Sequence, residues 1–192
     1  MNSGMRSGIA RWIGLLLLAL IVAAVDQASK AVVANSLAIG QSWTPFPALA
    51  SVFEITRSAN SGAAFGLLQG GNFALLLLSL AMLVGILIYF GRLPSVSVIQ
   101  ILTLGILLGG VIGNALDRLR LGTVVDFIHW QLPGVISNVS NLADHAIVFS
   151  VLGLLLFQWR AGLSLEREQR ASEIRLNQNA NSKSVDSAGE IR

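Results

Sequence analysis

Four runs of predominantly apolar residues dominate this chain: Ile9 to Val25, Phe73 to Phe90, Val96 to Leu116 and Ala146 to Trp159. The first three are close to the roughly 20 residues that carry an α-helix across a bilayer, and the fourth is shorter. Such runs leave little choice of fold, because within hydrocarbon every backbone N–H and C=O has to be satisfied inside the span, and a helix does that alone. The expectation is an all-α membrane protein with four transmembrane helices. Composition agrees: of 192 residues, 54% are hydrophobic and only 12% charged, with a mean hydropathy of +0.70, too apolar for a water-soluble domain. Arg11, near the start of the first run, can snorkel to the headgroups. Gln100 and Asn114 in the third can face neighbouring helices rather than lipid.

Four crossings put both termini on one side. Nine of the 13 lysines and arginines fall on that side (Arg6, Arg11, Arg92, Arg160, Arg167, Arg170, Arg175, Lys183 and Arg192), and Lys30, Arg57, Arg118 and Arg120 fall on the other. The positive-inside rule makes the termini cytoplasmic. This placement also removes any nucleic-acid reading of the net charge of +3, since the basic residues flank spans. Arg6 and Arg11, the leucine-rich run and Ala23-Ala24 have the form of a cleavable secretory signal. Three further spans and a polar cluster directly after the first favour a permanent helix. The chain has no cysteine, which excludes disulfides, thiol nucleophiles and thiolate metal sites.

Carboxylates are scarce: before Glu166 there are only Asp26, Glu54, Asp117, Asp126 and Asp144. Ionised groups near a bilayer core are costly enough to suggest a task. Asp26, Asn60, Asn114, Arg118, Asp126, Asn141 and Asp144 all fall at the non-cytoplasmic ends of spans or in the connections there, as an active site built between helices would require. The first connection, 26–72, is long enough to have its own structure, with an amphipathic stretch around Ala31 to Ile39, a turn at Pro45 and Pro47 and an extended run from Val52 to Thr56. The second, 117–145, contains Thr123-Val124-Val125-Asp126-Phe127-Ile128, β-branched and aromatic and therefore extended. There Asp126 shares a face with Val124 and Ile128, an apolar setting that raises a carboxyl's affinity for its proton. Gly105, Gly109 and Gly113 recur every four residues on one face of the third span and predict close helix packing. Arg118 follows Asn114 by four residues on roughly the same face.

Five segments now stand in order: Asp26-Gln27-Ala28-Ser29-Lys30, Asn60-Ser61-Gly62-Ala63-Ala64-Phe65, Gly109-Gly110-Val111-Ile112-Gly113-Asn114-Ala115-Leu116-Asp117-Arg118, Gly122-Thr123-Val124-Val125-Asp126-Phe127-Ile128 and Asn141-Leu142-Ala143-Asp144. Together, over about residues 9–160, they resemble the motifs of bacterial lipoprotein signal peptidase (signal peptidase II). The resemblance implies a four-helix inner-membrane aspartyl protease with an extracytoplasmic β-cradle, one that removes the signal peptide before the lipidated cysteine of a diacylglyceryl-modified prolipoprotein. Carried over by motif position, Asp126 and Asp144 are the catalytic pair, and Asp26, Lys30, Asn60, Gly62, Asn114, Arg118 and Asn141 stabilise the site or bind substrate. No cofactor and no metal is implied, and the expected partners are the precursor and membrane lipids, with no nucleic acid and the enzyme a monomer. The chain departs from the family at Ser140, where Phe commonly precedes the Asn, and at His145, where a small hydroxyl residue commonly follows the last Asp. His145 is expected to be a surface or headgroup residue rather than a catalyst.

Paired carboxyls suit hydrolysis: they retain a shared proton, the ionised member takes a proton from water, and the protonated one hydrogen-bonds the scissile carbonyl. A metalloprotease using Asp126, His129, Asp144 and His145 is a weaker reading, since no H-E-x-x-H motif is present. The non-enzyme alternative is an ion or proton translocator, in which intramembrane acids relay charge; the clustering of the acids at one membrane face speaks against it. Residues 1–165 are read as the membrane domain. Residues 166–192 are read as a polar cytoplasmic tail whose charged first part extends the fourth helix to Arg175 and which is largely disordered from Asn177.

Overall fold

The computed structural model describes residues 3–62, 71–132 and 134–189. Helix α1 (Ser3–Ser36) leads to a short strand β1 (Ser42–Trp43), a 3-10 turn (Pro47–Leu49) and strand β2 (Phe53–Asn60). Helices α2 (Asn72–Arg92) and α3 (Val98–Leu121) follow, then strands β3 (Val124–Leu132) and β4 (Ile136–Ser140), and finally helix α4 (Leu142–Gly189). Stretches long and apolar enough to cross a membrane occupy Gly8–Ser36, Asn72–Arg92, Val98–Leu121 and Leu142–Ser164. The protein is a multi-pass membrane protein. Its outward residues fit that solvent: Leu20, Phe73 and Val98 are exposed, whereas Asp26, Asn114 and Asp117 are buried.

Helix α3 is the central element of the part of the chain up to Val151, with 56% of its apolar stretch buried against 17% in α1 and 22% in α2. The glycine stripe makes that possible. A Cβ on Gly109 would lie 2.6 Å from both the Ala19 carbonyl oxygen and Val22 Cβ of α1, and one on Gly105 would press on Leu18. On another flank, a Cβ on Gly110 would lie 2.7 Å from the Ala143 carbonyl oxygen at the start of α4. Backbones approach this closely only where side chains are absent.

The sheet is antiparallel throughout, in the order β1-β2-β3-β4. A register shift lies between Ile55 and Ser58 of β2, after which Ser58 opposes Asp126 and Asn60 opposes Val124. The sheet is seated on α1 by Arg57 of β2, whose guanidinium donates to the carbonyls of Ala34 and Leu37 at 2.8 Å each. Those oxygens have no partner within a helix that ends at Ser36, so a cation there serves as a C-cap.

The structure corrects several boundaries. The first connection begins at Leu37 rather than Asp26, because Asp26 to Lys30 continues α1. This polar run broke the hydropathy pattern, yet Gln27 and Lys30 are satisfied by α3, and Asp26 by Lys30 and the Ala143 N–H of α4. Likewise α3 runs on to Leu121, where Gly122 adopts φ 73° and its N–H caps Arg118 C=O, and α4 starts at Leu142. Gln100 does not face a neighbouring helix in mid-span: it is the third residue of α3 and forms a capping box with Ser97. Ala63 to Gly66 lie outside the described residues. The expected loss of structure after Asn177 is not what the backbone shows, since α4 is helical to Gly189. No glycine or proline interrupts residues 163–188, so nothing in that stretch forces a stop.

Candidate active site

The start of α4 organises the site. Asn141 is its N-cap: the Asn141 side-chain oxygen accepts the Asp144 N–H at 2.9 Å, and Asp144 Oδ2 accepts the Asn141 N–H at 3.3 Å. This reciprocal pair is a capping box with Asp in the third position, and it is why the sequence Asn-Leu-Ala-Asp begins a helix. The first-turn N–H of Ala143 donates to Asp26 Oδ1 at 2.9 Å. A carboxylate from α1 thus sits at the positive end of α4, as the helix dipole favours.

Asp126 reaches the same place from β3. It is 1% exposed, and each carboxylate oxygen accepts one amide: Asn141 Nδ2 at 2.6 Å on Oδ1 and Asn60 Nδ2 at 2.8 Å on Oδ2. Asn60 is held in turn, its own oxygen accepting the Gly62 N–H at 2.9 Å. Burial, and after it the charge of Asp144, pushes the Asp126 carboxyl up to about 6, against the pull of its hydrogen bonds from Asn60 and Asn141. Apolar surroundings and a second carboxylate both favour the protonated form.

Behind the pair lies a charged cluster. Lys30 Nζ is within 2.9 Å of Asp26, Asp117 and Asn114, and Asn114 Nδ2 donates to Asp144 Oδ1 at 2.7 Å. Asp117 also accepts from Gln27 Nε2 at 2.8 Å and from the Val125 N–H at 3.1 Å. Arg118 donates to the carbonyls of Gly62 and Asn114 at 3.4 and 3.5 Å. Both are long for a guanidinium.

Asp126, Asp144, Asn60, Gly62, Asn114 and Arg118 line one cavity of about 470 Å³, whose apolar wall includes Trp130, Ile147, Val148 and Phe149. Asn141 bridges the pair from behind, and Asp26 and Lys30 lie deeper, under the first turn of α4. All nine residues singled out from sequence therefore belong to one hydrogen-bonded assembly. Sequence reasoning left Asp117 and Gln27 without a part. The signal was present: once 26–30 is read as helix, Asp26 and Lys30 are an i, i+4 pair, and Asn114, Asp117 and Arg118 share a face of α3.

The two family departures are accommodated. Ser140 is buried and its hydroxyl donates to the Ile128 carbonyl at 3.3 Å. His145 is half-buried and lines the cavity, with Nδ1 2.8 Å from the Asn141 carbonyl. A carbonyl only accepts, so that nitrogen carries the proton. His129 faces the opposite side of β3 from Asp126, with Thr56 at 3.2 Å, Ser137 at 3.0 Å and Glu54 at 3.9 Å. Among the described residues no three His, Cys, Asp or Glu side chains converge as metal ligands.

The model for signal peptidase (SPase) II matches residues 18–160. This chain belongs to that family. Lipoprotein signal peptidases from Anoxybacillus flavithermus, Bacillus subtilis and Moorella thermoacetica are 34%, 35% and 40% identical to it, over 77%, 73% and 71% of the chain and 88%, 89% and 87% of their own lengths. Two structures described as a bacterial membrane enzyme, obtained by the in meso method at 2.3 and 1.9 Å, superimpose with TM-scores of 0.69 and 0.66 at 27% identity. They cover 76% and 75% of this chain, and the matches span 87% and 91% of theirs. The family is one of peptidases, so the protein is a membrane-embedded hydrolase of the signal peptidase II type.

Proposed function

We propose that the protein is an aspartic endopeptidase that removes the signal peptide from diacylglyceryl-modified prolipoproteins, cutting before the lipidated cysteine, with Asp126 and Asp144 as the reacting pair. The observation that carries this is that one residue, Asn141, holds both carboxylates at the wall of an open cavity, its side-chain amide donating to Asp126 and its backbone N–H to Asp144. Both carboxyls line the same cavity and the charge of Asp144 favours the protonated form of Asp126, so the pair shares a proton. The ionised one accepts a proton from water as the water oxygen attacks the scissile carbonyl. The protonated one donates to that carbonyl oxygen, and a proton passes to the leaving amine as the C–N bond breaks. No acyl-enzyme forms. Arg118 binds a main-chain carbonyl of the substrate, and the wall of Trp130, Ile147, Val148 and Phe149 receives its apolar part. Asp26, Lys30, Asn60, Gly62, Asn114 and Asn141 hold the site in shape.

We place the enzyme in the inner membrane of a bacterium as a monomer, with both termini cytoplasmic and the cavity at the extracytoplasmic face. Asp26, Asp117 and Asp144, the only acids in the four apolar stretches, belong to a single network. A relay across the membrane would need acids spread along the spans. The test is cleavage of a lipidated precursor by purified Asp126→Asn and Asp144→Asn proteins. Each is expected to insert normally and to lose turnover. Wild-type turnover by either removes that residue from the mechanism, and equal cleavage of an unlipidated precursor makes the protein a broader peptidase.

A further inference from the structure

The chemistry just described uses no buried cation, yet Lys30 is 3% exposed and lies beneath the pair. Its ammonium has three N–H donors and no acceptor, and three acceptors surround it: Asp26 Oδ2 at 2.8 Å, Asp117 Oδ2 at 2.9 Å and Asn114 Oδ1 at 2.9 Å. Each of these three side chains also touches an element that carries a reacting aspartate. Asp26 accepts the N–H of Ala143, the residue before Asp144. Asp117 accepts the N–H of Val125, the residue before Asp126. Asn114 makes the direct link, its Nδ2 donating to Asp144 Oδ1 at 2.7 Å.

The two ends of an Asn amide are alike in size and opposite in hydrogen-bonding character. Only its partners decide which end faces where. We propose that Lys30 is a positioning residue for peptide hydrolysis: its ammonium binds the Asn114 oxygen and so turns the amide N–H toward Asp144, fixing that carboxylate against Asp126. Without the ammonium, the carboxylates of Asp26 and Asp117 draw the Asn114 NH2 group to themselves. The amide flips, and its oxygen then faces Asp144, which is repelled from its working position. Lys30 itself touches neither aspartate of the pair.

The inference rests on the reading of Asp126 and Asp144 as the reacting pair, and its test separates the two. Cleavage of a diacylglyceryl-modified precursor is measured for the full chain and for Lys30→Met, Asn114→Ala and the double variant. Displacing a reacting group by about 1 Å costs on the order of 100-fold, so Lys30→Met is expected to lower kcat roughly 10- to 100-fold with KM changed less than about twofold. In the Asn114→Ala background there is no amide to flip, and the same replacement is expected to change kcat less than about threefold. Equal losses in both backgrounds, a loss confined to KM, or wild-type kcat for Lys30→Met would each overturn the proposal. If Lys30→Met does not fold, the comparison is made with Asp26→Asn/Lys30→Met, which removes the cation together with one carboxylate and keeps an oxygen to accept the Ala143 N–H. Wild-type cleavage by Asp126→Asn overturns both readings. An inactive Asp126→Asn beside a fully active Lys30→Met overturns only the part given to Lys30.

Discussion

Asn141 and Asp126 are joined by a 2.6 Å hydrogen bond from the amide nitrogen to the carboxylate, while the other end of the same amide holds the backbone N–H of Asp144 at 2.9 Å. One side chain therefore sets the distance between strand β3 and the first turn of α4. Asn141→Ala removes an N-cap worth about 1 kcal/mol and also the bridge. The expected result is a modest fall in thermal stability in detergent but a loss of kcat of roughly 100-fold. A variant with a lowered melting temperature and unchanged kcat would show that the bridge is only a cap.

The Asp126 carboxyl, raised from 3.8 to about 6 chiefly by burial and then by the charge of Asp144, gives a prediction with a sign. A carboxyl whose folded-state value lies above its unfolded value stabilises the fold most below the unfolded value and loses that contribution as pH rises through the folded one. The window here runs from about 4 to about 6, and the difference is roughly 3 kcal/mol at most. The wild-type protein should thus lose stability relative to Asp126→Asn as pH climbs through this window. In Asp144→Asn the Asp126 titration should move down from about 6 but stay above 3.8, because burial is the larger cause. Infrared or NMR titration of the carboxyl checks this, and an unmoved value would mean that Asp144 does not act on it. In the active enzyme, kcat/KM should fall as pH rises past the same value, where Asp126 loses its proton.

Four spans, one extended segment around Asp126 and the gathering of polar residues at one face were legible in the residues, because each depends on local pattern. The register of that gathering was not. Asp26 to Lys30 looks like the end of a span to a hydropathy reading, since the cost of its charges is offset by Lys30, Asp117 and Asn114, which meet only when α1 lies against the glycine face of α3. Asn141 reads as one polar residue among several until α4 is seen to start directly after it. Strand β4 was missed as a separate element: Ile136 to Ser140 is extended by pairing with β3 across a turn containing Gly134 at φ 75°, a partner no single segment reveals.

The close approach of α1 and α3 is tested at Gly109. An added methyl there meets the backbone oxygen of Ala19 at 2.6 Å, an atom that cannot rotate aside. Gly109→Ala should lower stability by about 1–3 kcal/mol, the usual cost of overpacking, and should loosen the Lys30 cluster a turn further along. Gly85, with nothing within 4 Å of its Cβ position, is the control: Gly85→Ala should be neutral or slightly stabilising, since alanine is the better helix former. Melting in the same detergent compares them, and equal melting temperatures would mean that the helices do not pack as closely as the stripe implies.

Arg57 tests how far the sheet depends on its seat. Its two 2.8 Å bonds satisfy the Ala34 carbonyl in the last turn of α1 and the Leu37 carbonyl just beyond it, and Ala34 is one helical turn beyond Lys30. Hydrogen bonds to a charged group contribute about 1.5–3 kcal/mol each when formed in full, and part of that is lost to solvent at a half-buried site. Arg57→Met, which keeps much of the aliphatic stem, should therefore cost about 2 kcal/mol and speed hydrogen exchange at the C-terminal amides of α1. Exchange elsewhere in the spans should hardly change. The bonds of Asn141, Asn60 and Asn114 to the aspartates do not involve Arg57, so kcat should fall by much less than in Asn141→Ala, on the order of threefold or under. A collapse of kcat with unchanged exchange in α1 would place Arg57 in the chemistry instead of beneath it.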